Sequence, residues 1–499
     1  MRPTRLPGLL LAVPLAAACG DNLPPLFEAD VFAPSPELQA RCEAPREGID
    51  PFTGAAFPDE EGSEETEKLW LRSWTHELYL WYREVPDPDP AGYPTPLDYF
   101  DVLRTQALSP SGNPKDRFHF TYPTDEWEAL SQTGVSAGYG ATFTLISAAP
   151  PRRIVVAYNE RGSPAAGASL DRGDELLAID GVDVIEGNDV DALNAGLFPS
   201  DVGETHTFQI RDVATGASRT IELTSAAVES APVQRVSVLD TADGPVGYFL
   251  FNDHIATAEP ALRDAVTELA DAGVTDLVLD LRYNGGGYLV VASQLAYQVA
   301  GPGPTAGQPF ESIEFNDQYS GIHPLSGEPI EPMPFVDATV GLSGPEGLPL
   351  SNLGLERVFV LTGPGTCSAS ESFMNGLRGV GVEVIQIGAT TCGKPYGFYP
   401  QDNCGTTYFS IQFRGVNAAG FGDYADGFVP GGAGEAGVAG CQVDDDFGRD
   451  LGDPNERRLA AALHYRAEGT CPAGARRGAA PAEGRVMKSI WQENRILGP

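Results

Sequence analysis

From Glu64 onward the apolar residues Leu69, Leu71, Trp74, Leu78, Leu80 and Trp81 recur at mixed spacings of three and four. That pattern predicts a helix, which Pro86-Asp87-Pro88-Asp89-Pro90 stops. A second helix is predicted around 96–106, with Tyr99, Phe100 and Leu103 facing inward. Residues 64–130 therefore read as a small helical cap. Between about 134 and 225 the pattern turns to short strands: 154–156, 175–179 and 205–210, with Gly162-Ser163-Pro164-Ala165-Ala166 turning into a short helix. From Gly244 the signals alternate. Strands are predicted at 246–251, 276–281, 358–362 and 383–388, and helices at 259–272, 288–299 and 370–378. Strand–helix alternation implies βαβ units and a largely parallel sheet, so the fold class expected is α/β and multidomain.

The remaining stretches are patterned differently. Residues 1–18 combine Arg2 and Arg5 with an apolar run, Leu6 to Ala18, which reads as an export signal. Residues 19–63, rich in Pro, Glu, Asp and Gly, read as a tether, and 301–350 as an irregular insertion. The segment 472–499, rich in Ala, Gly and Arg, reads as a C-terminal tail. The domain boundaries expected are thus 64–130 for the cap, 131–228 for the β-rich unit and 229–471 for the α/β core.

At 499 residues the chain has room for two to four domains, and its 42% apolar content suffices for a sizeable core. The formal charge of −37 argues against nucleic acid as a partner, since phosphate binding needs clustered cations. Only four of the basic residues are lysines, Lys68, Lys115, Lys394 and Lys488, so a lysine in a special setting stands out. Leu15-Ala16-Ala17-Ala18 before Cys19 resembles a bacterial lipoprotein signal, which would make Cys19 a lipidated first residue; the alternative is a plain signal peptide cut at the same place. The six other cysteines, Cys42, Cys367, Cys392, Cys404, Cys441 and Cys471, allow up to three disulfides in an oxidising compartment. Cys392 with Cys404 is the pair expected from proximity along the chain. There is no Cys-x-x-Cys, His-Glu-x-x-His or phosphate-loop pattern, so neither a metal nor an organic cofactor is expected.

Three turns follow predicted strands: Asn284-Gly285-Gly286-Gly287, Cys367-Ser368-Ala369-Ser370-Glu371 and Thr391-Cys392-Gly393-Lys394. In an open α/β sheet, loops beyond the carboxyl ends of strands converge on one site. A serine needs a base to become a nucleophile. A lysine serves if burial favours its neutral amine, whereas an arginine stays protonated. Backbone N–H groups of a glycine turn, and of the residue after the serine, suit an oxyanion. Ser, Lys and a glycine turn together point to acyl transfer. Each has an ordinary structural reading as well: helix cap, solvated lysine, simple turn.

Asp280-Leu281-Arg282-Tyr283-Asn284-Gly285-Gly286-Gly287, Thr366-Cys367-Ser368-Ala369-Ser370-Glu371 and Gly393-Lys394 resemble, in order and spacing, the signature blocks of the carboxyl-terminal processing (tail-specific) serine peptidases. The resemblance spans roughly 130–415, and 70–125 resembles the N-terminal region of secreted bacterial members. It implies a core of the crotonase-like or ClpP-like type, with Ser368 as nucleophile and Lys394 as general base. Ala369 N–H and a glycine N–H at Gly285 or Gly286 would be the oxyanion donors, with Ser370 and Glu371 structural. Many members carry an orienting Gln four residues after the lysine, where this chain has Phe398, with Gln401 out of register. His254 is the residue for an alternative Ser–His arrangement. Cys367, if disulfide-bonded, would make the nucleophile loop redox-sensitive.

Arg172-Gly173-Asp174-Glu175-Leu176-Leu177-Ala178-Ile179-Asp180-Gly181 resembles a PDZ stretch, and Gly138-Tyr139-Gly140-Ala141 stands where a carboxylate-binding loop belongs. The resemblance implies an exported serine endopeptidase of the cell envelope or periplasm. A lipid on Cys19 would anchor it to an outer membrane or cell surface, and its substrates would be polypeptides bearing C-terminal tails. Two rivals remain on the same scaffold: a weak or inactive relative that binds hydrophobic ligands or peptides, and an envelope scaffold that only presents its groove.

Overall fold

The computed structural model describes residues 27–475 and 484–487; the signal segment and Cys19 lie outside the described residues. Within them the chain is a mixed α/β, multidomain protein. Ser63 caps helix α1 (Glu64–Leu78) by accepting the Thr66 N–H, and three glutamates fill the first turn, where the helix dipole favours them. The helix ends at Leu78, before the proline run, because Tyr79 turns extended to put its hydroxyl on Asp116. Helix α2 (Pro96–Val102) is shorter than its apolar pattern, since Leu103 already leaves the helical region. Trp70, Trp74, Phe100 and Tyr408 pack as the aromatic centre of this layer.

Residues 27–63 are folded onto the body rather than extended as a tether. Arg41–Cys42 pairs with Glu60–Glu61, Arg46 bridges Asp59 and Asp402, and a disulfide joins Cys42 to Cys404. The expected Cys392–Cys404 bond is therefore corrected: Cys404 takes Cys42, Cys392 takes Cys367, and Cys441 takes Cys471. Proximity in sequence lost to proximity in space, because Phe120–Pro123 pairs with Thr406–Phe409 and draws the N-terminal layer over that region.

The β-rich unit is built on strands β1 (Ala141–Ser147), β2 (Arg153–Asn159), β3 (Glu175–Ile179), β4 (Thr205–Arg211) and β5 (Ser218–Thr224), in the order β5-β4-β3-β2-β1. Its core holds Phe143, Ile154, Val156, Leu176, Ile179, Phe208 and Ile210.

The larger sheet runs β6 (Val233–Leu239), β7 (Val246–Phe251), β8 (Asp276–Asp280), β9 (Arg357–Thr362), β10 (Glu383–Gly388) and β11 (Gly440–Gln442). Only the β6–β7 pair is antiparallel. Every residue of β7 and β8 is buried, as a parallel sheet covered on both faces requires. Helices α3 (Ala258–Asp271), α4 (Leu289–Ala300) and α5 (Ala369–Gly379) cover one face, and α6 (Arg457–Glu468) the other. The stretch 301–350, expected to be irregular, contributes a strand at Pro309–Phe315 paired with Phe413–Val416.

The C-terminal segment also departs from expectation. Residues 484–487 come back to the β-rich unit, where strand β12 (Arg485–Val486) pairs antiparallel with β1.

Candidate active site

The three turns lie beyond the carboxyl ends of adjacent parallel strands, β8, β9 and β10, and hydrogen bonds fuse them. Cys367 N–H donates to Asn284 C=O (3.2 Å) and Cys392 N–H to Thr366 C=O (2.9 Å). The Thr366 hydroxyl donates to Leu281 C=O (2.7 Å). Ser368 stands at the head of α5 with φ 55° and ψ −119°, a left-handed conformation that costs a non-glycine residue about 1–3 kcal/mol. The strain is paired with a close approach: a Cβ on Gly286, itself at φ +100°, would stand 2.7 Å from Ser368 Cβ and 3.0 Å from Ala369 N. Only glycine permits the two turns to meet there.

Glu371 is the hub. Its fully buried carboxylate accepts from Ser368 N–H (3.1 Å), Gly393 N–H (2.8 Å), Lys394 N–H (2.8 Å) and the Thr391 hydroxyl. Burial pushes this carboxyl up, against the pull of those four donors. The disulfide Cys367–Cys392 ties the same two loops covalently, joining the residue before Ser368 to the second residue before Lys394.

Lys394 is buried at 7% exposure, and its Nζ lies 3.9 Å from the ring centroid of Phe398 and 5.1 Å from that of Phe118. The Phe398 ring thus contacts the amine from the position where the resemblance leads one to expect Gln. Arg117 Nη2 donates to Cys392 C=O (2.8 Å), bringing a guanidinium to the same loop.

The glycine turn is shaped by Asn284. Its Nδ2 donates to Phe251 C=O (3.0 Å), and its Oδ1 accepts Gly286 N–H (2.9 Å) and faces His254 Nδ1 (3.0 Å). Gly286 N–H, one of the two glycine donors named for an oxyanion, is thus held by Asn284 Oδ1 within the turn. Ala369 opens α5, and the first N–H groups of a helix have no intrahelical acceptor. His254 is fully buried and held down to about 4 by that burial, so its ring is neutral; it supports Asn284.

Ser368, Lys394, Gly285, Gly286 and His254 line one cavity of about 1650 Å³. Phe118, Phe120, Trp127, Phe398 and Phe409 give it aromatic walls. Ala369 is buried behind the serine, and Ser370 donates to Asn284 C=O (3.3 Å). Gly138, Tyr139, Gly140 and Ala141 are not in that wall; they lie in the β-rich unit. Tyr139 points inward, its hydroxyl on Gly196 C=O (3.0 Å) and its ring edge-on to Phe208.

The β-rich unit reaches the site through Arg172. Its guanidinium donates to Tyr283 OH and Asp445, and to the carbonyls of Ala157 and Arg449. Tyr283 immediately precedes Asn284, and Asp445 also receives Arg282, whose other partners are Asp280 and Glu456. Against the cost of burial, the guanidinium groups of Arg172, Arg282 and Arg458 hold the Asp445 carboxyl well below the usual range.

Residues missed by sequence reasoning were Asn284 as shaper of the turn, Phe118, Arg117 and the Cys367–Cys392 pair. One signal was present in the chain: Ser368-x-x-Glu371 has capping-box spacing.

Comparison with known proteins gives two family matches: Peptidase family S41 over residues 245–397 and Peptidase S41 N-terminal domain over 67–122. A carboxyl-terminal-processing protease of a Picosynechococcus species is 32% identical over 136 residues, which is 27% of this chain and 32% of that protein. The chain thus matches about a third of the length of that curated relative. A Bacteroides fragilis structure named as an S41 protease candidate aligns with TM-score 0.59 at 25% identity, over 80% of this chain and 97% of that one. The photosystem II D1 C-terminal processing protease aligns with TM-score 0.43 at 20% identity, over 74% and 92%.

Proposed function

The chain carries the domains of peptidase family S41, and from that premise we propose that it is a serine endopeptidase acting on polypeptide tails through Ser368 and Lys394. The observation that carries the reading is the double tie, by the Glu371 carboxylate and the Cys367–Cys392 bond, of the serine turn to the lysine loop at one cavity.

In the proposed cycle Ser368 Oγ gives its proton to the Lys394 amine as it bonds the scissile carbonyl carbon. The carbonyl oxygen takes up the charge against the N–H groups of Ala369 and Gly285. Lys394 returns the proton to the leaving nitrogen as the C–N bond breaks, leaving an ester on Ser368. Water then attacks the ester carbon and passes a proton to Lys394, which restores the Ser368 hydroxyl as the C–O bond breaks. No metal or organic cofactor enters these steps. The Phe118 and Phe398 rings keep the lysine amine in place, and the aromatic walls suit apolar side chains.

In the same reading the β-rich unit takes the PDZ role of capturing tails by strand addition. The chain is exported through its N-terminal signal and anchored by a lipid on Cys19. Among the described residues no helix is long and apolar enough to cross a membrane.

The test compares the chain without its signal segment with Ser368→Ala and Lys394→Ala on an unfolded protein with an apolar C-terminal tail, followed by intact mass. Cleavage by the unsubstituted chain alone supports the dyad. Equal cleavage by Lys394→Ala removes the lysine from the mechanism, and equal inertness of three folded proteins overturns the peptidase reading.

A further inference from the structure

We propose that residues 484–487 are a built-in ligand of the β-rich unit: they fill the sheet edge where an incoming polypeptide tail would add as a strand, so a substrate must displace them. The inference rests on the tail-capture reading above and deepens it by naming the groove, the kind of segment it takes and the competitor it already holds.

Strand β1 directly follows Gly138-Tyr139-Gly140 and has β2 on one side only. Its other edge is taken by β12, antiparallel, with Arg485 opposite Leu145 and Val486 opposite Thr144. Met487 N–H donates to Phe143 C=O (2.8 Å). An edge strand with open N–H and C=O groups is a template for exactly this kind of added strand, with main-chain bonds for affinity and alternate side chains for selection.

The side chains alternate as a strand requires. Met487, 4% exposed, sinks into the core cluster of the β-rich unit that includes Tyr139 and Phe143. Val486, 8% exposed, packs instead with Tyr158 of β2 and with Leu250, Tyr283 and Leu451 of the larger domain. Gly484 lies flush on the strand: a Cβ there would stand 2.2 Å from Thr144 Cγ2 and 2.5 Å from Ile146 Cδ1. The segment therefore enters with no side chain, then places one apolar residue in the pocket and one between the domains.

Its position also bears on the catalytic cavity. Arg485 and Val486 line the cavity that holds Ser368, and a Cβ on Gly365, three residues before Ser368, would meet Val486 at 3.7 Å. Two successive apolar residues and an adjacent cation define the ligand class. On a chain of net charge −37 a neutral or basic tail is favoured over an acidic one. Tethering gives the built-in segment a high effective concentration. If it occupies the groove nine-tenths of the time, an incoming tail loses about tenfold in apparent affinity.

The test uses a fluorescent peptide of residues 482–490 and measures anisotropy on three forms, each also carrying Ser368→Ala so that nothing is cleaved: the chain without its signal segment, the same with Gly484→Val, and the same ending at residue 475. Gly484→Val displaces the segment without shortening the chain, so it serves even if the truncated form does not fold. Binding about tenfold tighter to Gly484→Val, and to the truncated form where it folds, is the expected result. Equal affinity in the full chain and Gly484→Val overturns it, as does absence of binding to a truncated form that melts like the full chain. With Ser368 restored, Gly484→Val is expected to lower KM for an unfolded protein about tenfold at unchanged kcat. Tighter peptide binding with no cleavage by any form keeps this inference and sinks the peptidase reading; cleavage at one common KM does the reverse.

Discussion

Replacing Glu371 by Gln tests the hub of the site with a change of a single atom. Glu371 Oε1 accepts the Thr391 hydroxyl and Gly393 N–H, while Oε2 accepts Ser368 N–H and Lys394 N–H. An amide has one oxygen. Whichever way it turns, its NH₂ group faces two buried donors and leaves both without an acceptor. At about 1–3 kcal/mol for each buried polar group left unsatisfied, the loss is about 2–6 kcal/mol. Relief from burying a charge offsets part of this, so the lower half of the range is expected. That remains a large fraction of a total stability of about 5–15 kcal/mol. The two orphaned donors belong either to the lysine loop alone or to both loops. A displacement of about 1 Å at a reacting group costs about 10²-fold in rate. Urea unfolding, with midpoint and slope read separately, and single-turnover cleavage measure the two effects. A Glu371→Gln protein that unfolds within about 0.5 kcal/mol of the parent and cleaves at the same rate would refute the hub, since ordinary surface changes fall in that range.

Three further outcomes are expected. Gly286→Ala places a methyl 2.7 Å from Ser368 Cβ, so cleavage should fall at least about 10²-fold, while backbone strain and the clash together remove about 2–5 kcal/mol of stability by denaturant unfolding. Cys367→Ala with Cys392→Ala opens a loop of sequence separation 25 and should lower stability by about 3 kcal/mol, with a matching loss of turnover; an unchanged kcat would free the disulfide from any part in the site. Burial holds His254 and His119 down to about 4 from 6.5, so the unfolded chain takes up protons that the fold refuses, and each costs stability as pH falls from 6.5 to 4. Burial lifts Glu311 and Glu160 from 4.5 to about 7, so the fold keeps protons that the unfolded chain releases, and each costs stability as pH rises from 4.5 to 7. These slopes oppose one another. Glu311→Gln should therefore gain stability relative to the parent between pH 5 and 7, by up to about 3 kcal/mol, and a pH-independent difference would contradict the assignment.

What could be read from the chain was local. The buried strands of the larger domain are continuous apolar runs, and the glycine, serine and lysine turns directly follow three of them, so their convergence follows from parallel pairing alone. Other features depended on contacts far apart in sequence. Cys42 and Cys404 are 362 residues apart, and nothing near either names the other. Residues 41–61 lack a strong period because their order comes from that bond and from Arg46 on Asp59 and Asp402. Gly484-Arg485-Val486-Met487 is too short to show alternation, and its partner strand lies more than 300 residues earlier. Gly286 illustrates the limit at the site itself: the glycine was legible, but the direction of its N–H was set by Asn284, which has no signature of its own.

The pairing of Phe120–Pro123 with Thr406–Phe409, together with the Cys42–Cys404 bond, also sets a clock. The glycine turn, serine, lysine and the strand that seats the N-terminal layer are made in that order, so the last of them emerges when about four-fifths of the 499 residues exist. At about 5–20 residues per second of synthesis, those residues alone take roughly 20–80 s to make, and the site is assembled only after that interval. A chain halted before Phe409 therefore holds the glycine turn, the serine and the lysine without the strand that seats the N-terminal layer over them.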